Sequence, residues 1–126
     1  MFGFGRKKAS EQQAVREQFE SIVSKLKTAD KMTQAAVGNS INMMNTAFFK
    51  KYSGVESYKS LSMNDKISYI NSLCELEDIL AQKDPYSCLG CRLFTLWISA
   101  VAENDEGLTK QFSSDLAYFS KIGDLG

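Results

Sequence analysis

Apolar residues recur every three or four positions along almost the whole chain, which is the spacing of one face of an α-helix. No alternation of apolar and polar residues is long enough to indicate a strand. The spacing predicts helices at about 10–27, 30–52, 62–80, 85–102 and 108–122, with a loop between residues 53 and 61. We therefore expect an all-α fold, a single-domain bundle of four to five antiparallel helices over residues 10–126.

Polar residues at the predicted helix starts support these boundaries. Asp30 and Ser62 are suitable N-caps, because their side-chain oxygens can accept hydrogen bonds from the free N–H groups of the first turn. Asp84 is a third cap, and Pro85 follows it at the first helical position, where the missing N–H does no harm.

Two of the predicted helices have a feature that bears on packing. The helix over 85–102 is apolar on most sides, so we expect it to lie at the centre of the bundle. The helix over 30–52 is interrupted by Gly38-Asn39-Ser40, and a glycine inside a helix costs about 1 kcal/mol relative to alanine. This interruption predicts either a kink or a close contact with another helix.

Composition excludes several classes of function. The chain has 126 residues, with 15 Lys and Arg against 15 Asp and Glu, and it has no His. Zero net charge argues against a nucleic-acid partner, since such binding depends on neutralising phosphates. The lack of His removes the most common general base and metal ligand. We therefore expect a protein that is not an enzyme and carries no cofactor.

The charges are unevenly placed along the chain. Residues 1–59 carry ten basic and five acidic side chains, and residues 60–126 carry five basic and ten acidic ones. One explanation is that basic and acidic helices pack beside each other. The other is an acidic face that docks a basic protein partner. The acidic residues of that face are Glu75, Glu77, Asp78, Glu103, Asp105 and Glu106. A concrete form of this hypothesis is a bacterial immunity protein that neutralises a basic toxin.

The three cysteines suggest an alternative thiol or zinc function. Cys88 and Cys91 have the Cys-x-x-Cys spacing near the start of a predicted helix, whose dipole would favour the thiolate. However, no strand precedes them, as a thioredoxin-type site requires. Zinc would need Cys74 as a third ligand and a carboxylate such as Glu75 or Glu77 as a fourth. Core packing is the simpler explanation for these thiols.

The N-terminus suggests a second alternative, a membrane-peripheral adaptor or chaperone. Phe2 and Phe4 precede three cations, Arg6, Lys7 and Lys8, in what we expect to be a flexible tail over residues 1–9. Aromatic rings and cations suit an anionic membrane surface, but one short signal supports at most weak contact. No secretory signal is evident at the start, so we expect a cytoplasmic protein.

Apolar side chains offer a further candidate partner surface. Phe48 and Phe49 are adjacent and cannot both face the same core, so one of them is expected to be partly exposed. An exposed aromatic ring together with Met43 and Met44 would form a patch suited to a protein partner.

Overall fold

The computed structural model describes the backbone of residues 6–125 and the side chains of residues 12–124. Every regular element in this part of the chain is an α-helix, which confirms the all-α prediction. The helices are α1 (Arg6–Lys27), α2 (Lys31–Tyr52), α3 (Val55–Lys59), α4 (Met63–Ala81), α5 (Pro85–Ala102) and α6 (Glu106–Leu125). The described residues thus form six helices rather than the four to five predicted, because a short helix occupies the expected loop.

The two differences from the predicted helices have local causes. Helix α1 begins at Arg6, about one turn before Ser10, in a polar segment without the apolar spacing that would reveal it. Helix α3 has only five residues, too few for a periodic pattern. Its fully buried Tyr58 holds it in place, since the hydroxyl donates a hydrogen bond of 2.8 Å to the carbonyl oxygen of Lys66 in α4.

The predicted caps begin their helices. The side chains of Asp30, Ser62 and Asp84 each accept a hydrogen bond from a backbone N–H in the first turn of α2, α4 and α5 respectively. Pro85 occupies the first turn of α5, where its lack of an N–H is harmless. Asp105 caps α6 in the same way as these three residues, since its carboxylate accepts a hydrogen bond of 3.0 Å from the N–H of Leu108.

Helix α5 lies at the centre of the bundle, as its composition predicted. It contacts each of the other five helices. From Leu93 to Ala102 every side chain except that of Ser99 is buried. Within α5 the exposed residues, Pro85, Tyr86 and Arg92, lie in its first half, and most of the exposed surface belongs to the other helices.

Helices α2 and α6 cross with their backbones in contact. A Cβ added to Gly38 would overlap the carbonyl oxygen of Phe119, and one added to Gly123 would lie 2.5 Å from the backbone nitrogen of Asn39. The interruption predicted in α2 therefore marks a close helix contact, one of the two outcomes expected from it.

An aromatic cluster joins α2, α3, α4 and α5 at one end of the bundle. The ring of Phe48 is fully buried and lies at its centre. The aromatic side chains within 6.0 Å of it, measured between ring centroids, include Tyr52, Tyr58, Tyr69, Phe94 and Trp97. Ring contacts of Tyr69 with Phe48 and Tyr52 join α4 to α2 through this cluster, whereas most of the packing of α4 is on α5.

Candidate protein-binding surface

The first acidic group lies on the C-terminal half of α4. Glu75 and Asp78 are exposed and, among the described side chains, neither forms an ion pair. Glu77 differs, because it turns toward α5 and accepts a hydrogen bond of 2.9 Å from Nε of Arg92. Two of these three predicted carboxylates are therefore available to a partner, and the third holds α4 against α5.

Exposed apolar side chains accompany these two carboxylates. Ile79 is 54% exposed, and Leu76, one turn earlier on α4, is also exposed. Residues three or four apart on a helix are neighbours on its surface, so Glu75, Leu76, Asp78 and Ile79 form one continuous patch. We call these four residues the α4 patch. Protein interfaces commonly combine an apolar centre with a polar rim.

The second acidic group lies at the other end of α5. Glu103 is half-buried at the end of that helix, and Glu106 is exposed in the first turn of α6. Asp105 is engaged twice, since it caps α6 and also accepts a hydrogen bond of 2.9 Å from Nε2 of Gln12 in α1. Glu103 lies about 16 Å along α5 from Arg92, the partner of Glu77. The structure therefore does not bring the two groups into one acidic face.

Some of the charge asymmetry is used inside the molecule. Lys27 of α1 pairs with Asp115 of α6 at 3.4 Å, and Gln111 of α6 donates to Glu20 of α1 at 2.6 Å. The Lys27–Asp115 pair joins a cation of the basic first half to a carboxylate of the acidic second half, as the packing explanation of the asymmetry expects. The Gln111–Glu20 hydrogen bond joins the same two helices without pairing opposite charges. The α4 patch takes part in none of them.

Cys88 and Cys91 belong to the packing between α4 and α5. Their Sγ atoms lie 3.5 Å from the carbonyl oxygens of Glu77 and Leu73 respectively, so that each thiol can donate to a turn of α4. Later residues of α5 face earlier residues of α4, which shows that the two helices are antiparallel. The spacing of the motif thus matches the facing turns of a neighbouring helix.

The environment of the thiols opposes the thiolate form expected from the helix dipole. Burial has the largest effect on the pKa of Cys91 and raises it. The Thr95 hydroxyl lowers this pKa and the Glu77 carboxylate raises it further, so that the pKa is about 11. Partial burial and the charge of Glu77 also raise the pKa values of Cys74 and Cys88 above their ordinary 9.0. Within the described part of the chain, no three Cys, Asp or Glu side chains are grouped to hold a metal ion.

Thiol titration should follow this order of burial. With Ellman's reagent at pH 8, we expect exposed Cys74 to react first, half-buried Cys88 more slowly, and buried Cys91 only after unfolding. The reaction rates should still be rising above pH 9, because the thiolate is the reactive form and the pKa values are raised. The Cys74→Ser variant identifies the first phase. A fast reaction of Cys88 at pH 7 would contradict this description and restore the redox alternative.

The residues of the membrane alternative are only partly described. Phe2 and Phe4 lie outside the described residues, and Arg6, Lys7 and Lys8 are described by their backbone alone, within α1. No helix in residues 6–125 is long and apolar enough to cross a membrane.

The structure of α2 shows which side chains of the predicted aromatic and methionine patch are exposed. Phe48 is buried and Phe49 is 50% exposed, as the adjacency of the two rings required. Met43 is exposed, whereas Met44 is half-buried against the core. The predicted patch therefore does not form as one surface, because Met43 and Met44 point in different directions from α2.

A surface cleft of about 380 Å³ lies between α3 and the turn that joins α5 to α6. Val55 and Val101 give it an apolar lining, and Lys59, Lys110 and Glu106 border it. With Glu56, two carboxylates and two cations meet at this border, so the cleft favours neither an anion nor a cation. No sequence pattern indicated it, since its lining comes from two stretches that are far apart in the sequence, residues 55–59 and 101–110.

Comparison of the chain with protein-family models, curated proteins and solved structures finds no significant match. Any function is therefore argued from the surface itself.

Proposed function

We propose that the chain is a non-catalytic protein-binding module whose docking surface is the α4 patch. The observation that carries the proposal is the exposure of Ile79 and Leu76 beside Glu75 and Asp78, two exposed carboxylates that form no ion pair with any described side chain. An apolar centre supplies affinity through the area it removes from water, and a charged border supplies orientation. The patch lies on α4, and the Glu77–Arg92 ion pair holds α4 against α5, which fixes the position of the patch.

The charge of the patch sets the chemistry of the partner. Glu75 and Asp78 form no ion pair with a described side chain, and two such carboxylates favour a surface that brings Lys or Arg side chains to them. Glu106 lies at the far end of α5 and is outside this contact, in contrast to the single six-residue face expected from the sequence. The proposed form of the function remains that of a bacterial immunity protein that binds a basic toxin.

Charge reversal on α4 tests the proposal. We expect the tagged chain, purified gently from its native cells, to retain one basic protein in stoichiometric amount. Glu75→Lys combined with Asp78→Lys should weaken that complex roughly tenfold or more, mainly by slowing association. It should also reduce the dependence of the affinity on salt, since fewer opposite charges then meet.

A matched control separates a specific contact from net charge. Glu17→Lys combined with Glu56→Lys changes the net charge equally on α1 and α3, where both side chains are exposed. We expect the control to bind nearly as the unmodified chain does. Equal weakening of binding in both variants would show that net charge alone causes the loss. Unchanged binding of the α4 variant would refute the proposed surface.

A further inference from the structure

Helix α2 presents to solvent a face that carries no charged residue between positions 32 and 49. Residues 32–49 contain no Lys, Arg, Asp or Glu, although 24% of the chain is charged. Met32 is 83% exposed and Met43 is 66% exposed, and their spacing of about three helical turns places them on the same face. Long uncharged stretches with exposed methionines are unusual on solvated helices and suit a protein contact. We call Met32, Asn39, Met43 and Lys50 the α2 face.

The ends of the α2 face are basic. Lys50 lies one heptad after Met43 and is exposed on the same side of the helix, and Lys31 is exposed at the opposite end. Asp30 is beside Lys31, but its carboxylate is engaged as the N-cap of α2. Lys51 differs from Lys50, since its Nζ lies over the ring of Tyr52 at 5.6 Å.

These charges disfavour pairing of two α2 faces. In an antiparallel pair, Lys31 of one copy would approach Lys50 of the other at both ends. In a parallel pair, each lysine would approach its own equivalent. Like charges that face each other across a contact oppose association. The occupant of the α2 face must therefore combine apolar side chains with carboxylates.

We infer that the α2 face docks on the α4 patch of a second copy of this chain. Met43 would meet Ile79 and Leu76, and Lys50 would meet Glu75. The zero net charge of the chain removes the long-range repulsion that usually keeps copies apart. The inference uses the same α4 patch as the proposed function, so a basic partner would compete with the second copy for it.

The geometry of such a contact determines its assembly and its strength. Different surfaces of the two copies meet, so the pair keeps one free α2 face on one copy and one free α4 patch on the other, and assembly can continue beyond a dimer. One helix of 22 residues is about 33 Å long, which limits the contact to the small class of interfaces. We therefore expect self-association only at tens to hundreds of micromolar, in fast exchange.

Sedimentation equilibrium of the purified chain alone tests the inference. The weight-average mass should rise continuously above 14.1 kDa as the concentration increases, without stopping at a dimer. Met43→Glu should abolish the rise, and Lys50→Glu and Glu75→Lys should each weaken association roughly tenfold. Lys121→Glu, a charge reversal on the exposed side of α6, should leave it unchanged.

Mixing the Lys50→Glu and Glu75→Lys variants tests most directly whether these two residues meet across the contact. The Lys50→Glu chain has an acidic α2 face and the Glu75→Lys chain has a basic α4 patch, so the mixture should recover the association that each variant lacks. A monomer at every concentration would overturn the inference, as would an association that Glu75→Lys leaves intact. Because no partner is present, these outcomes are independent of whether a basic protein binds the α4 patch.

Discussion

Replacing Phe48 by alanine is expected to lower the free energy of unfolding by about 3–5 kcal/mol. The ring is fully buried and contacts aromatic side chains from three other helices as well as its own. Its removal leaves a cavity that a rigid aromatic cluster cannot fill, and edge-to-face ring contacts are lost in addition to buried area. Urea denaturation followed by circular dichroism measures the loss.

The adjacent residue provides the control for this prediction. Phe49→Ala removes the same side chain from a half-exposed position, so we expect a loss below about 1 kcal/mol. If Phe48→Ala leaves too little folded protein to titrate, Phe48→Leu should still be measurably less stable than Phe49→Leu. Equal losses of stability at the two positions would contradict the placement of Phe48 in the core and Phe49 at the surface.

Gly38→Ala is expected to destabilise the chain by about 3 kcal/mol, although alanine favours helices. The new methyl group would overlap the carbonyl oxygen of Phe119, a backbone atom that moves only if α6 separates from α2. Such a separation would weaken the hydrogen bond of 3.0 Å from Nδ2 of Asn42 to the carbonyl oxygen of Ser120. The midpoint of thermal unfolding should fall by roughly 10 °C.

Gly107→Ala is the matched control for the glycine contact. Gly107 is an exposed helical residue, and an added Cβ would lie 3.6 Å from Oδ1 of Asp105, an ordinary contact distance. Alanine there should raise stability by a few tenths to about 1 kcal/mol, because it restricts the unfolded chain. A Gly38→Ala variant as stable as Gly107→Ala would show that α2 and α6 are farther apart than the structure places them.

Much of the fold could be predicted from the sequence, because its long helices carry periodic apolar faces and ordinary caps. Ser62 and Asp84 mark the starts of α4 and α5, and the apolar composition of α5 predicts its central position. Helix α3 could not be found in this way, since a five-residue helix depends on the burial of Tyr58 rather than on a pattern. The crossing of α2 and α6 could not be predicted either. Gly38 indicates that another helix is close, but it does not show that this helix is α6 or that the contact is made at Gly123.

The candidate surface was harder to predict than the fold. Charge along the sequence identifies Glu75, Glu77 and Asp78 equally, but only the packing of α4 on α5 shows that Glu77 pairs with Arg92. Asp105 was likewise a surface carboxylate in the sequence and is a helix cap in the structure. Intramolecular partners of this kind are decided by tertiary contacts, which composition and spacing do not contain.

Hydrogen–deuterium exchange of the chain with and without its co-purified basic partner tests the proposed function most directly. We predict that the partner slows exchange in peptides covering residues 71–81 of α4, with little change in α1 and α6. Protection confined to α1 or α6, with α4 exchanging as in the free chain, would contradict it.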